Sequence, residues 1–160
     1  MDLDEVMQVL ASFRQERVDY ILVGGAALNF HGLVRATEDV DIFIRATPDN
    51  VERLRRALHS IYEDPCIDEI VIDDLAGEYP AIRYYPPSGA LFLDILARLG
   101  TFARYEDLEV QEMEVRGVKV RVATPRALYS LKKGTLRAID RADAEALRQR
   151  FDLGEDDPEE

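Results

Sequence analysis

Leu3, Val6, Met7, Leu10 and Phe13 recur at helical spacing, which predicts a first amphipathic helix ending near Arg17. The apolar run Tyr20 to Val23 reads as a strand. A short helix over Ala26 to Gly32 follows, then a loop over Arg35 to Glu38 and a second strand over Val40 to Ile44. Thr47-Pro48-Asp49-Asn50 opens the next helix, with proline in its first turn and Val51, Leu54, Leu58 and Ile61 on one stripe. Three stretches then look extended: Glu69 to Ile72, Ala81 to Tyr85, and Ala90 to Ala97. Pro86-Pro87-Ser88-Gly89 is a turn that joins the last two as a hairpin. Met113 to Val115 and Val118 to Val122 flank Arg116-Gly117 as a smaller hairpin. Thr124 caps a helix opened by Pro125, and a last helix, Ala142 to Phe151, turns Ala146, Leu147 and Phe151 inward. This order predicts an α/β (α+β) fold, a mixed β-sheet flanked by helices and followed by C-terminal helices.

Two segments in this pattern carry chemistry. Ile21-Leu22-Val23-Gly24-Gly25 ends a strand in two glycines, where the backbone can approach a ligand before a helix begins. Thr37-Glu38-Asp39-Val40-Asp41-Ile42 places two aspartates at period two. On a strand Asp39 and Asp41 share one face while Val40, Ile42 and Ile44 enter the core. Adjacent carboxylates repel unless a cation neutralises them, and oxygen donors suit Mg²⁺ or Mn²⁺. Asp94 is the natural third ligand, a charge embedded in the apolar strand Leu91-Phe92-Leu93-Asp94-Ile95-Leu96, where burial demands a partner or a metal. Asp73-Asp74 fails as a rival pair, since neighbours on a strand face opposite ways, and is read as a turn.

Composition narrows the classes. The 160 residues are 47% hydrophobic, enough for one domain, expected over 1–153, with the acidic Gly154–Glu160 tail outside it and disordered. A net charge of -12 argues against a DNA-coating role, because that affinity comes from Lys and Arg. Cys66 is the only cysteine, which excludes an internal disulfide and a cysteine zinc site and fits a reducing cytoplasm. The N-terminus is acidic and no apolar run approaches a membrane span, so a soluble, cytoplasmic protein without membrane contact is expected.

Three carboxylates beside a glycine turn meet the needs of phosphoryl or nucleotidyl transfer, in which two ions about 3.5–4 Å apart activate an attacking hydroxyl and stabilise the leaving group. The run hydrophobic-Gly-Gly, then Arg35-x-Thr37-x-Asp39-hydrophobic-Asp41, resembles the DNA polymerase β-type nucleotidyltransferase superfamily, and within it the small AbiEii-like proteins. Pro125-Arg126-Ala127-Leu128-Tyr129-Ser130-Leu131-Lys132, with Arg137, Asp140 and Asp143, is similar to the C-terminal segment of those relatives. The resemblance covers about residues 20 to 150.

It implies a nucleotidyltransferase using an NTP and Mg²⁺ or Mn²⁺. Gly24, Gly25, Arg35, Thr37 and Lys132 would contact nucleotide, and Asp39, Asp41 and Asp94 would hold metal, with Asp94 on the base side of the attacking hydroxyl. It also implies a toxin–antitoxin or phage-defence setting, with RNA or protein as acceptor and a small antitoxin as partner. The second glycine stands where many superfamily members carry serine, so only backbone contacts to phosphate remain. A catalytically weak, antitoxin-like binding protein is the alternative from another class. Residue by residue, other roles stay open. Arg35 either holds phosphate or pairs with Glu38 or Asp39, and Lys132 either reaches phosphate or covers apolar surface. Asp140 and Asp143 read as structural, His31 and His59 as structural or exposed, and Tyr84 and Tyr85 as packing residues.

Overall fold

The computed structural model describes residues 3–33, 39–75, 81–87, 91–99, 103–133 and 138–153. Helix α1 (Leu3–Gln15) leads into β1 (Tyr20–Val23), α2 (Gly24–Phe30), β2 (Asp39–Ile44) and α3 (Pro48–His59). Strands β3 (Ala81–Tyr84) and β4 (Phe92–Leu96) precede the short ladder of β5 (Arg98–Leu99) and β6 (Ala103–Arg104). The hairpin β7 (Val110–Val115) and β8 (Val118–Ala123) and helices α4 (Pro125–Lys133) and α5 (Ala138–Phe151) complete the order.

Six strands form one mixed sheet, in the order β3-β4-β2-β1-β8-β7. Strand β2 is central, antiparallel to β1 and parallel to β4. Strands β1 and β2 are short and fully apolar on the side of Tyr20, Leu22, Ile42 and Ile44, all buried. Phe13 of α1 meets the Tyr20 ring edge-on at 5.3 Å, placing α1 on that side, and α3 packs beside it with Val51, Leu54 and Leu58 buried. Strand β8 joins β1 through the register pair Leu22–Val122. Arg121 reinforces the join, its backbone N–H donating to the Tyr20 hydroxyl and its Nε to the Tyr20 carbonyl, each at 3.1 Å.

The predicted Thr124 cap is present, and Thr47 caps α3 as well. Thr47 Oγ1 accepts the Asn50 N–H at 3.2 Å, and Thr124 Oγ1 accepts the Ala127 N–H at 3.1 Å. Arg116 and Gly117 both take positive φ, as the tight β7–β8 turn requires.

Two expectations are corrected. Glu69 to Ile72 is not a strand; it runs from the last residue of one 3₁₀ turn, Pro65–Glu69, to the first of another, Ile72–Leu75, which contains Asp73 and Asp74. Pro65 and the Asp64 carboxylate, which accepts the Cys66 N–H at 3.0 Å, start the first turn, and Ile67 and Ile70 bury at three-residue spacing rather than alternating. In α5, Ala146 faces solvent, while Asp143, Ala144 and Leu147 are buried. The helix starts four residues earlier than its apolar pattern suggests, and that pattern is too sparse to fix its phase. The predicted tail lies outside the described residues.

Asn50, fully buried in the first turn of α3, ties the strand ends together. Its Oδ1 accepts the Asp19 N–H at 2.7 Å, and its Nδ2 donates to the carbonyls of Asp19 (2.9 Å) and Arg45 (2.8 Å). The residue before β1 and the residue after β2 are thus locked to one side chain, which fixes the register of both strands at the end remote from Asp39. In Asn50→Ala the Asp19 N–H loses its partner, while the carbonyls of Asp19 and Arg45 keep the N–H groups of Arg45 and Thr47, and urea unfolding is expected to show a loss of about 2 kcal/mol.

Candidate active site

The β1–β2–β4–β3 register sets Val23, Asp41, Asp94 and Arg83 in one row across four strands. Asp39 stands one pleat away on the same face as Asp41, opposite Phe92. The three carboxylates therefore converge, with oxygens from Asp39, Asp41 and Asp94 all within 4.8 Å of one another. On this face Ile21, Val23 and Phe43 are buried, whereas the three aspartates are only half-buried, leaving the cluster open to a ligand.

Gly24 explains how Asp41 fits. Its φ is +71°, and a Cβ there would overlap the Asp41 carboxylate, lying 2.9 Å from its Cγ. Glycine is thus required both by the backbone and by the space that Asp41 fills. The predicted turn between strand and helix is tighter than expected, because α2 begins at Gly24 itself. Gly25 is already helical, and the N–H groups of this first turn have no partner within the helix.

Crowding sets the electrostatics. Burial, then the charges of Asp39 and Asp94, push the Asp41 carboxyl from 3.8 up to about 7. For Asp94, burial also acts upward, but the Arg83 hydrogen bonds and charge, with hydrogen bonding inside the trio, leave it below its ordinary value. Arg83 Nε and Nη2 grip the two Asp94 oxygens at 2.7 and 3.1 Å. The donor set is all hard oxygen, three carboxylates within reach of one centre, so these residues fit a divalent cation such as Mg²⁺ or Mn²⁺.

The other predicted residues separate clearly. Arg35 and Thr37 lie outside the described residues. Lys132 is in α4 and Asp140 in α5, with side chains outside the described set, and Asp143 is buried where α4 and α5 pack together. His31 is structural: its Nε2 lies 2.8 Å from the Ala123 carbonyl and its ring meets Phe151 edge-on. His59 pairs with Asp68 at 2.8 Å. Tyr84 is a packing residue, buried and donating to Asp64 at 2.8 Å, but Tyr85 is 61% exposed and lies 5.2 Å from the Phe92 ring. A cavity of about 440 Å³ between Arg45, Thr47, Leu75, Arg98 and Tyr105 lies past the far ends of β2 and β4. Arg45 is spent there on Asp19 and Glu106, and nothing in that lining matches the carboxylate cluster.

Sequence reasoning missed Arg83. The turn expected over Pro86–Gly89 would set residue 83 opposite residue 92, whereas the strand register sets it opposite Asp94.

Two outcomes follow. Protonated Asp41 favours the folded state, so this stability is complete below pH 3.8 and is lost as pH rises to about 7. In EDTA, wild type is expected to lose roughly 5 °C of Tm relative to Asp41→Asn between about pH 4 and pH 8, with millimolar Mg²⁺ restoring it at the upper end. Gly24→Ala forces both φ strain and displacement of Asp41; thermal melts are expected to show a lower Tm and no stabilisation by Mg²⁺.

The family model described as the nucleotidyl transferase AbiEii toxin of type IV toxin–antitoxin systems matches residues 6–153. Comparison with curated proteins finds no match. Among solved structures, the fold is similar to a candidate nucleotidyltransferase from Thermotoga maritima at TM-score 0.58 and 14% identity, covering 94% of this chain and 92% of that one. It is similar to ANT(2″)-Ia in complex with adenylyl-2″-tobramycin at TM-score 0.57 and 11% identity, covering 92% and 88%. The lincomycin-bound lincosamide antibiotic adenylyltransferase LnuA aligns at TM-score 0.53 and 18% identity, covering 91% and 95%. At these identities the structural likeness is one of fold, and with the family match over nearly the whole chain it leads to one assignment: the chain belongs to the AbiEii nucleotidyl transferase family.

Proposed function

We propose that the protein transfers a nucleoside monophosphate from an NTP to a hydroxyl or phosphate acceptor, with release of pyrophosphate. The observation that carries this reading is the convergence of Asp39, Asp41 and Asp94 beside Gly24. Asp39 and Asp41 would hold Mg²⁺ or Mn²⁺, with Asp94 as the third ligand. When bound, the cations supply charge stabilisation at the α-phosphate and lower the pKa of the attacking group.

The chain's own residues then have distinct tasks. Asp39 and Asp41 orient the reacting oxygens from one pleated face. Asp94 lies on the acceptor side and takes up the proton of the attacking hydroxyl. The N–H groups at Gly24 and Gly25 face the triphosphate, and Arg35, Thr37 and Lys132 add phosphate contacts. Bond formation at the α-phosphorus expels pyrophosphate.

The family's description supports a setting in which the protein is the toxin of a type IV pair, with a small antitoxin partner and RNA or protein as acceptor. None of the described helices is long and apolar enough to cross a membrane.

The test is incubation with each labelled NTP, Mg²⁺ or Mn²⁺, and total RNA or cell lysate, beside Asp39→Ala/Asp41→Ala. Label transfer is expected from wild type alone, falling by at least about a thousandfold in the double variant and abolished by EDTA. Equal labelling by both proteins, or none under any condition, would sink the enzyme reading and favour a binding protein on a nucleotidyltransferase fold.

A further inference from the structure

Arg83 stands at the rim of the site, and no reading of the sequence assigned it a task. It sits on the edge strand β3, directly across from Asp94, and its guanidinium takes both Asp94 oxygens, Nε at 2.7 Å and Nη2 at 3.1 Å. The same guanidinium lies over the Phe92 ring at 4.8 Å, which holds its plane against the sheet. The pair is unequal in exposure: the Arg83 side chain is 51% accessible and that of Asp94 is 18%. Asp94 is therefore fixed in the site while Arg83 approaches it from solvent and is free to leave by side-chain rotation.

The occupied oxygens give this arrangement a consequence. With Arg83 in place both Asp94 oxygens are taken, so a first divalent cation is left to Asp39 and Asp41. A second cation at Asp94 would sit beside a guanidinium already bonded to both of its oxygens, and like charges at that range repel strongly in a half-buried site. An incoming triphosphate changes the balance, because it brings negative charge to the cluster and offers the guanidinium an alternative bidentate partner.

We propose that Arg83 is a positioning residue that caps the third carboxylate: the nucleotide-free protein holds one divalent cation, at Asp39 and Asp41, and Asp94 accepts a second only when nucleotide draws Arg83 away. The proposal rests on the metal site of the preceding section. Arg83 bonds Asp94 rather than a reacting atom, so its effect reaches the chemistry through that carboxylate.

The experiment is a Mn²⁺ titration of the full chain near neutral pH, read by electron paramagnetic resonance of free and bound ion, without nucleotide and with a non-hydrolysable NTP analogue. Wild type is expected to bind one ion without nucleotide and two with it. Arg83→Gln is expected to bind two without nucleotide, or one with at least about tenfold higher affinity, and Arg83→Lys, which keeps the charge but loses the bidentate grip, to fall between Arg83→Gln and wild type. Two ions on nucleotide-free wild type would overturn the proposal, as would unchanged or weaker Mn²⁺ binding by Arg83→Gln. The wild-type comparison with and without the analogue decides the matter even where a variant fails to fold. Absence of Mn²⁺ binding in every condition, or binding that survives Asp39→Asn/Asp41→Asn, would overturn the metal site itself, and this inference with it.

Discussion

The parallel pairing of β2 with β4 is the constraint on which the site depends. It sets Asp41 directly against Asp94, two carboxylates that repel, in the middle of a sheet whose opposite face is apolar along β1, β2 and β4. The repulsion is held in check from three sides. One is the proton that Asp41 retains up to about pH 7. Another is the guanidinium clasped on Asp94. The third is the hydrophobic layer beneath, where Val40, Ile42, Leu93 and Ile95 are buried to within 1% of complete and hold the strands together whatever the charges above them do. A site of this kind is unfavourable in isolation and persists because the fold over-determines it.

Rigidity at the opposite end of the strands serves the same purpose. Asn50 binds the backbone before β1 and after β2 with three hydrogen bonds, and Arg121 ties β1 to β8 through the Tyr20 carbonyl and hydroxyl. With the register fixed there, Gly24 and Asp41 arrive opposite each other at the other end without a long loop to place them. The short β1 strand is then enough to present a glycine whose missing side chain is filled by a carboxylate.

Much of this was legible in the sequence because it rests on local pattern. Period two over Asp39 to Ile44 gave the shared face of the two aspartates, and a lone charge in an apolar run marked Asp94. The Thr124 cap and the helix start at Thr47-Pro48 followed from short-range chemistry. The failures have different physical origins. Residues 69–72 combine β-branched residues with a period that also suits 3₁₀ turns, and Pro65 with Asp64 decides between them through a hydrogen bond outside that window. The phase of α5 escaped because burial of Asp143 is a tertiary fact that no hydrophobic stripe records. Tyr84 and Tyr85 looked alike in sequence, yet one is buried at the end of β3 and the other, just beyond it, is largely exposed.

Arg83 belongs to another kind of failure, since its importance depends on pairing between strands rather than on any residue near it in the chain. An arginine on an edge strand is ordinary as protection against aggregation, and by itself it points to nothing. Set opposite Asp94 by the hairpin, it becomes a cation bonded to the carboxylate cluster. The two roles are compatible: a charge that guards the sheet edge is also close enough to solvent to leave, which a buried partner of Asp94 could not do. The same hairpin therefore closes the sheet on one side and gives the acidic cluster a removable counter-charge.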